Sequence, residues 1–134
     1  MELADSGYME QGLFVLKKNY GSQCTYETDG SYQYYNTNGE IMFGRGFDYA
    51  EPFDKNNLAI VQEYRSNDYI FIDTKGKNVG NSYESIDLHD YYDYYIVKNN
   101  NLYGVVNEKG KEVVPCKYSS IEILNNNYAR IKTT

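Results

Sequence analysis

Three stretches of this chain share one grammar: Tyr32 to Glu40 reads YQYYNTNGE, Tyr69 to Lys77 reads YIFIDTKGK, and Tyr103 to Lys111 reads YGVVNEKGK. Each opens with Tyr, passes through apolar or aromatic positions to Asn36, Asp73 or Asn107, and turns at Gly39, Gly76 or Gly110. Asn or Asp at the first turn position bonds the backbone two residues on, and Gly at the fourth takes the positive φ of a bulged hairpin turn. The phrase therefore reads as a strand running into a tight turn. The glycines recur after 37 and then 34 residues, a spacing typical of repeat architectures.

The second half of each unit repeats as well. Phe47, Tyr83 and Tyr118 stand seven or eight residues after the turn glycine, and Leu58, Tyr94 and Tyr128 open the segments LAIVQ, YYIVK and YARIK. Their β-branched and apolar content favours strands, so each unit is expected to hold about three strands. The segment GLFVLKK, Gly12 to Lys18, reads as the closing strand of a unit whose front half is missing. The chain is thus expected to form a single repeat domain. Residues 1–31 make a partial N-terminal unit and a connection, and three units follow at 32–68, 69–102 and 103–134.

No window keeps apolar residues at helical spacing, and Gly, Asn and Asp recur too often for long helices. One helical turn is expected near Tyr49 to Asn57, where EPFDKNN combines Pro52 with turn formers. The fold class is all-β: tandem antiparallel three-strand hairpin repeats, arranged either as a short solenoid or as a curved, partly closed sheet. Repeat proteins need covered ends, so residues 1–18 and 129–134 are expected to cover or pair with the open edges. Phe71 and Val105 both stand two residues after an opening Tyr, and on that ground are expected to share a layer of the core. Tyr94 and Tyr95 are consecutive, so only one of them is expected inside.

The 134 residues carry a formal net charge of -6, which argues against a partner gripped through its phosphates. No apolar run approaches the roughly 20 residues of a spanning helix, and Met1 to Met9 lacks the basic and apolar segments of a signal peptide. On these grounds the chain is expected in the cytoplasm, away from membranes. Cys24 and Cys116 have no CxxC partner and are expected to be two free, buried thiols, with a single bridge between them as the lesser alternative.

The one histidine, His89, lies in the run DLHDYYD from Asp87 to Asp93, but no second His and no paired Cys completes a metal site. With one histidine and two separated cysteines there is no set of nucleophile, base and orienting group. No catalytic residue, metal or cofactor is therefore assigned, and the chain is read as a binding protein rather than an enzyme. The 17 tyrosines, in a chain without Trp, supply both core filling and contact area. Tyr91 and Tyr92, flanked by Asp90 and Asp93 in the loop of the middle unit, are the candidate partner-binding residues.

FDYAEPFDKNNLAIV, Phe47 to Val61, and YGVVNEKGKEVVPCKYSSIEILNNNYARIK, Tyr103 to Lys132, resemble the bacterial WG repeat, also called KWG. Its pattern is aromatic-Gly, a short strand, Asp-x-x-Gly-Lys, an apolar strand often ending in Pro, an aromatic, an acidic loop and a closing strand. The family's Trp-Gly is replaced by Tyr103-Gly104, Tyr69-Ile70 and Tyr32-Gln33. The resemblance implies a β-rich interaction scaffold without family-wide catalytic residues. A shorter stretch, Gly30 to Phe47, is similar to the aromatic hairpin repeats of choline-binding and clostridial toxin carbohydrate-binding domains. The leading expectation is a protein-binding module with a basic protein partner, in one version a toxin-neutralising immunity protein. The alternative is a carbohydrate- or choline-binding module, whose mark would be a solvent-facing aromatic ladder at repeat spacing.

Overall fold

The structure, a computed structural model, describes residues 2–3, 13–17, 32–88, 93–124 and 128–133. Its strands are β1 (Glu2–Leu3), β2 (Leu13–Lys17), β3 (Tyr32–Asn36), β4 (Phe47–Ala50), β5 (Ala59–Glu63) and β6 (Tyr69–Ile72). They continue as β7 (Asn78–Tyr83), β8 (Ser85–Leu88), β9 (Tyr94–Asn99), β10 (Leu102–Asn107), β11 (Glu112–Ile123) and β12 (Ala129–Thr133). Every neighbouring pair is antiparallel and consecutive in sequence. One open sheet runs from β1 to β7 and a second from β8 to β12. The chain is all-β, as its sequence implies, and neither sheet closes into a barrel. Among the described residues there is no helix, and so none long and apolar enough to cross a membrane.

The three glycine turns share one construction. The side-chain oxygen of Asn36 accepts from the backbone N–H of Asn38 at 2.9 Å and of Glu40 at 3.0 Å. Asp73 does the same for Lys75 and Lys77, and Asn107 for Lys109 and Lys111, again at 2.9 and 3.0 Å. Gly39, Gly76 and Gly110 hold φ of 82°, 80° and 82°, a region that costs other residues steric strain.

The expected helical turn between Tyr49 and Asn57 does not form. Tyr49 lies within β4, and Asp54 begins a fourth turn of the same design, its Oδ1 accepting from Asn56 N–H at 2.9 Å and Leu58 N–H at 3.1 Å. Asn57, at φ 65°, takes the place that Gly holds in the other three. Asn is the non-glycine residue that tolerates this region most readily, which is why DKNN makes a hairpin turn.

Each unit has an opening strand, a middle strand that pairs first with the opening and then with the closing strand, and a closing strand, which in the first two units pairs with the next opening strand. In the last unit the middle strand is the continuous β11, which pairs with β10 and then β12. In the middle unit it is interrupted at Glu84, so that β7 pairs with β6 in the first sheet and β8 with β9 in the second.

Because strand side chains alternate between faces, each closing strand and the opening strand beside it serve two core layers. The first layer joins Val15, Tyr34, Val61 and Ile72. The second joins Ile60, Phe71, Val97 and Val106, their equivalents one unit later. Val15 stands opposite Tyr34, Ile60 opposite Phe71, and Ile96 opposite Val105. Phe71 and Val105 therefore occupy equivalent positions, but they do not share a layer as expected. Phe71 packs in the second, while Val105, 4% exposed, lies outside both clusters with Ile96 on the start of a third. The period shifts equivalent residues by one whole layer, and strand alternation alone could not reveal that shift. Of the tyrosine pair, Tyr95 is buried and Tyr94 half-buried.

Candidate binding surface

Buried tyrosine hydroxyls brace the repeats, Tyr34 within the first unit and Tyr83 and Tyr95 between units. Tyr34 Oη donates to the Glu51 carbonyl at 2.6 Å, Tyr83 Oη to Glu112 Oε1 at 3.0 Å, and Tyr95 Oη to Asp54 Oδ2. The Asn56 side-chain amide donates to Tyr95 Oη at 3.1 Å, so the turn before β5 is fastened to β9 of the next unit. Burial pushes all three phenols far above their ordinary value. Behind burial come the Glu51 and Tyr49 charges for Tyr34, the hydrogen bond to Glu112 for Tyr83, and the hydrogen bond to Asp54 for Tyr95. These groups stay protonated and structural at neutral pH.

Asp93 is the one described member of the expected binding set. It pairs with Lys55 at 3.0 Å, with both side chains about half exposed, which brings Asp93 beside the turn of the first unit. An exposed pair of this kind contributes little to stability. Asp90, Tyr91 and Tyr92, like His89 and Cys24, lie outside the described residues. Cys116 is a free, half-buried thiol 4.0 Å from Glu112 Oε1. Burial first, then the Glu112 charge, pushes its pKa up, which makes it a weak nucleophile. Among the described residues no group of three or more His, Cys, Asp or Glu is placed to hold a metal ion.

A feature that the sequence reading missed lies at the far end of β5 from the Asp54 turn. Tyr32, Tyr49 and Tyr69, all half-buried, form a row with ring centroids 5.8 and 5.9 Å apart. Tyr32 and Tyr69 are the opening tyrosines of two units. Tyr49 is placed between them by the register shift between Phe47 and Tyr49 in the β4–β5 pairing. The rings meet edge to face, at interplanar angles of 63° and 83°, and the Tyr49 hydroxyl donates to Glu51 Oε2 at 2.8 Å. Beside β5, Arg45 lies 4.9 Å over the Phe47 ring and 3.0 Å from Glu63. The signal for this row was the shared opening Tyr, but Tyr49 belongs to no repeated position: Ser85 and Ser120 stand where it would recur.

Residues 34–64 and 103–133 each match the WG-containing repeat. The first match takes in most of the stretch that resembled the choline-binding hairpins, and the second covers the last unit from its opening Tyr-Gly onward. No curated protein and no solved structure matches the chain.

Proposed function

We propose that this WG-repeat protein is a non-catalytic protein-binding module. The observation that carries the reading is the tyrosine row Tyr32–Tyr49–Tyr69. Tyrosines held by packing present contact area that is already rigid, and each adds a polar tip, a combination enriched where proteins meet. The same geometry weighs against the carbohydrate alternative. Rings turned edge to face present alternating rims and faces, whereas a sugar stacks on a flat aromatic face. The net charge of -6 favours a basic partner, whose approach the field of the chain would steer. A toxin-neutralising immunity protein is one such case, supported by the negative charge.

The test is affinity capture from a native lysate with the wild type, a Tyr49→Ala/Tyr69→Ala variant and a Tyr91→Ala/Tyr92→Ala variant, alongside a glycan array. A basic protein retained by the wild type, lost by one of the variants and associating faster at low salt supports the reading. A glycan ligand whose affinity ignores salt replaces it with the carbohydrate alternative.

A further inference from the structure

The hairpin that joins β5 to β6 is longer than its counterpart one unit later. From the paired Gln62 and Tyr69 the chain takes residues 63–68 to turn, whereas the equivalent pair Lys98 and Tyr103 needs only 99–102. Part of what lengthens the first repeat, 37 residues between turn glycines against 34 in the second, therefore lies in this loop. Insertions in single repeats gather on loops, often those of a binding face. The loop is internal, with a described strand on either side.

Its backbone is costly for the residue at the tip. Ser66 N–H donates to the Glu63 carbonyl at 2.9 Å, and Arg65 holds φ 60°, a left-handed position that favours Gly or Asn. The shorter hairpin meets the same need with Asn100 and Asn101, at φ 53° and 63°. Arg65 is fixed there by Asp48, whose Oδ2 accepts from Arg65 N–H at 2.7 Å. Asp48 is the extra residue of β4 between Phe47 and Tyr49, so the irregularity that sets Tyr49 in the tyrosine row also ties the loop beside that row. The Arg65 guanidinium lies over the Tyr64 ring, 5.1 Å from its centroid. Arg65 is exposed, and among the described residues no carboxylate pairs with its side chain, although Asp and Glu outnumber Lys and Arg by 19 to 13. Glu63 beside it is taken by Arg45 at 3.0 Å. Strain of this kind persists where it positions a side chain for use.

We propose that the loop 64–68 extends the tyrosine row and that Arg65 receives a carboxylate from the bound protein. The inference rests on the reading of the row as a binding surface and adds what the partner carries: an Asp or Glu within an otherwise basic contact. With one face of the guanidinium on the Tyr64 ring, its N–H rim is left to bind both oxygens of a carboxylate. Tyr and Arg are the residues that most often dominate such contacts. A phosphate fits less well, because its second charge meets the carboxylates of Asp48, Glu63 and Asp68 around the loop. The carboxylate also fixes the orientation of a partner that the net field of the chain only steers.

The probe is the labelled peptide acetyl-KYEYK-amide, basic overall, with tyrosines to lie against the row and one central carboxylate. Its controls are the same peptide with Gln or phosphoserine at the centre. Each is titrated against the full chain by fluorescence anisotropy. The Glu peptide is expected to bind about fivefold more tightly than the Gln peptide. Arg65→Gln should abolish that preference and leave the affinity for the Gln peptide unchanged. Arg65→Gly should abolish it too while keeping the chain at least as stable as the wild type, because Gly takes this φ without strain; an Arg65 that only holds the loop together would show the reverse. Equal affinity of the wild type for the Glu and Gln peptides would overturn the inference, and the row would still stand if Tyr49→Ala/Tyr69→Ala weakened both. A Glu preference that survives Arg65→Gln, or tighter binding of the phosphoserine peptide, would overturn it as well. So would the absence of binding by every peptide, after which capture with the tyrosine variant judges the row on its own.

Discussion

Tyr95→Phe isolates one side-chain tie between the first and second units. The substitution keeps the ring, which packs 4.8 Å from Phe71 at 63°, and removes the hydroxyl that donates to Asp54 and accepts from Asn56. Asp54 keeps its two turn N–H bonds through Oδ1, so the turn survives and only this side-chain tie is lost. A hydrogen bond to a charged group contributes roughly 1.5 to 3 kcal/mol. Asp54 is half-buried and water regains part of that, so a loss of about 2 kcal/mol is expected. With an unfolding entropy of about 2.1 cal/mol/K per residue, this lowers Tm by about 7 °C. Urea unfolding near pH 7 measures it, and a double-mutant cycle with Asp54→Asn should return a coupling of about 1 to 2 kcal/mol. A loss below about 0.5 kcal/mol, or a coupling near zero, would refute the tie.

The same substitution has a pH signature. The Tyr95 phenol is held above its ordinary value of 10.0, so below that pH both folded and unfolded chains keep the proton and no stability is lost. Above it the unfolded chain releases the proton while the fold retains it, and stability falls by about 1.4 kcal/mol per pH unit for each such tyrosine. Tyr34 and Tyr83 shift the same way, so the wild type should lose about 4 kcal/mol per unit above about pH 10. Tyr95→Phe should remove about a third of that slope; an unchanged slope would mean that Tyr95 titrates freely in the fold.

Two glycine turns with the same φ separate backbone strain from crowding. A Cβ at Gly39 would meet nothing within 4 Å, whereas one at Gly110 would collide with Val79 Cγ1. Gly39→Ala should therefore cost about 1 kcal/mol in urea unfolding and Gly110→Ala clearly more, by at least a further ~1 kcal/mol. Val105→Asp, at a site 4% exposed, should destabilise by about 3 kcal/mol or more, while Ile131→Asp, at 40%, should cost under about 1 kcal/mol; equal melting temperatures would contradict the layer assignment. Tyr91→Ala with Tyr92→Ala should leave the circular dichroism spectrum unchanged and weaken capture of the protein partner, because loop side chains add contact area without holding the sheets together. Undiminished capture would move the site to the tyrosine row.

What was legible in the sequence was local. Asn36, Asp73 and Asn107 announce their turns because Asn or Asp followed three residues later by Gly is a complete chemical instruction. The Asp54 turn carries the same instruction with Asn57 in place of Gly, and reading DKNN as a helical turn overlooked that substitution. Non-local facts were hidden. The stretch from Asn78 to Leu88 is continuous in sequence, and only its two pairing partners show that Glu84 divides it between two sheets. The tyrosine row depends on a register shift next to Tyr49, which a strand pattern read on one chain segment does not contain. The assignment of Phe71 and Val105 to one layer failed for a related reason: alternation fixes the face of a strand but not which core that face meets.

The middle unit shows how the layers tolerate divergence. In the first layer the opening-strand aromatic Tyr34 packs 5.2 Å from Phe53, which comes from the segment before the Asp54 turn, while Ala59 begins the closing strand. In the second layer the equivalent Phe71 packs 4.8 Å from Tyr95, which occupies the closing-strand position that Ala59 holds one unit earlier. The second aromatic ring has moved from the loop to the strand, and the small residue has given way to it. Each core keeps a pair of packed rings at nearly the same spacing, which is what close packing demands, although no single sequence position supplies the second ring in both. Stability in such an array is a sum over units and their neighbours. A unit therefore drifts from the repeat pattern at little cost so long as its layer stays filled, and residues 65–102, which the family pattern does not match, still build the second core.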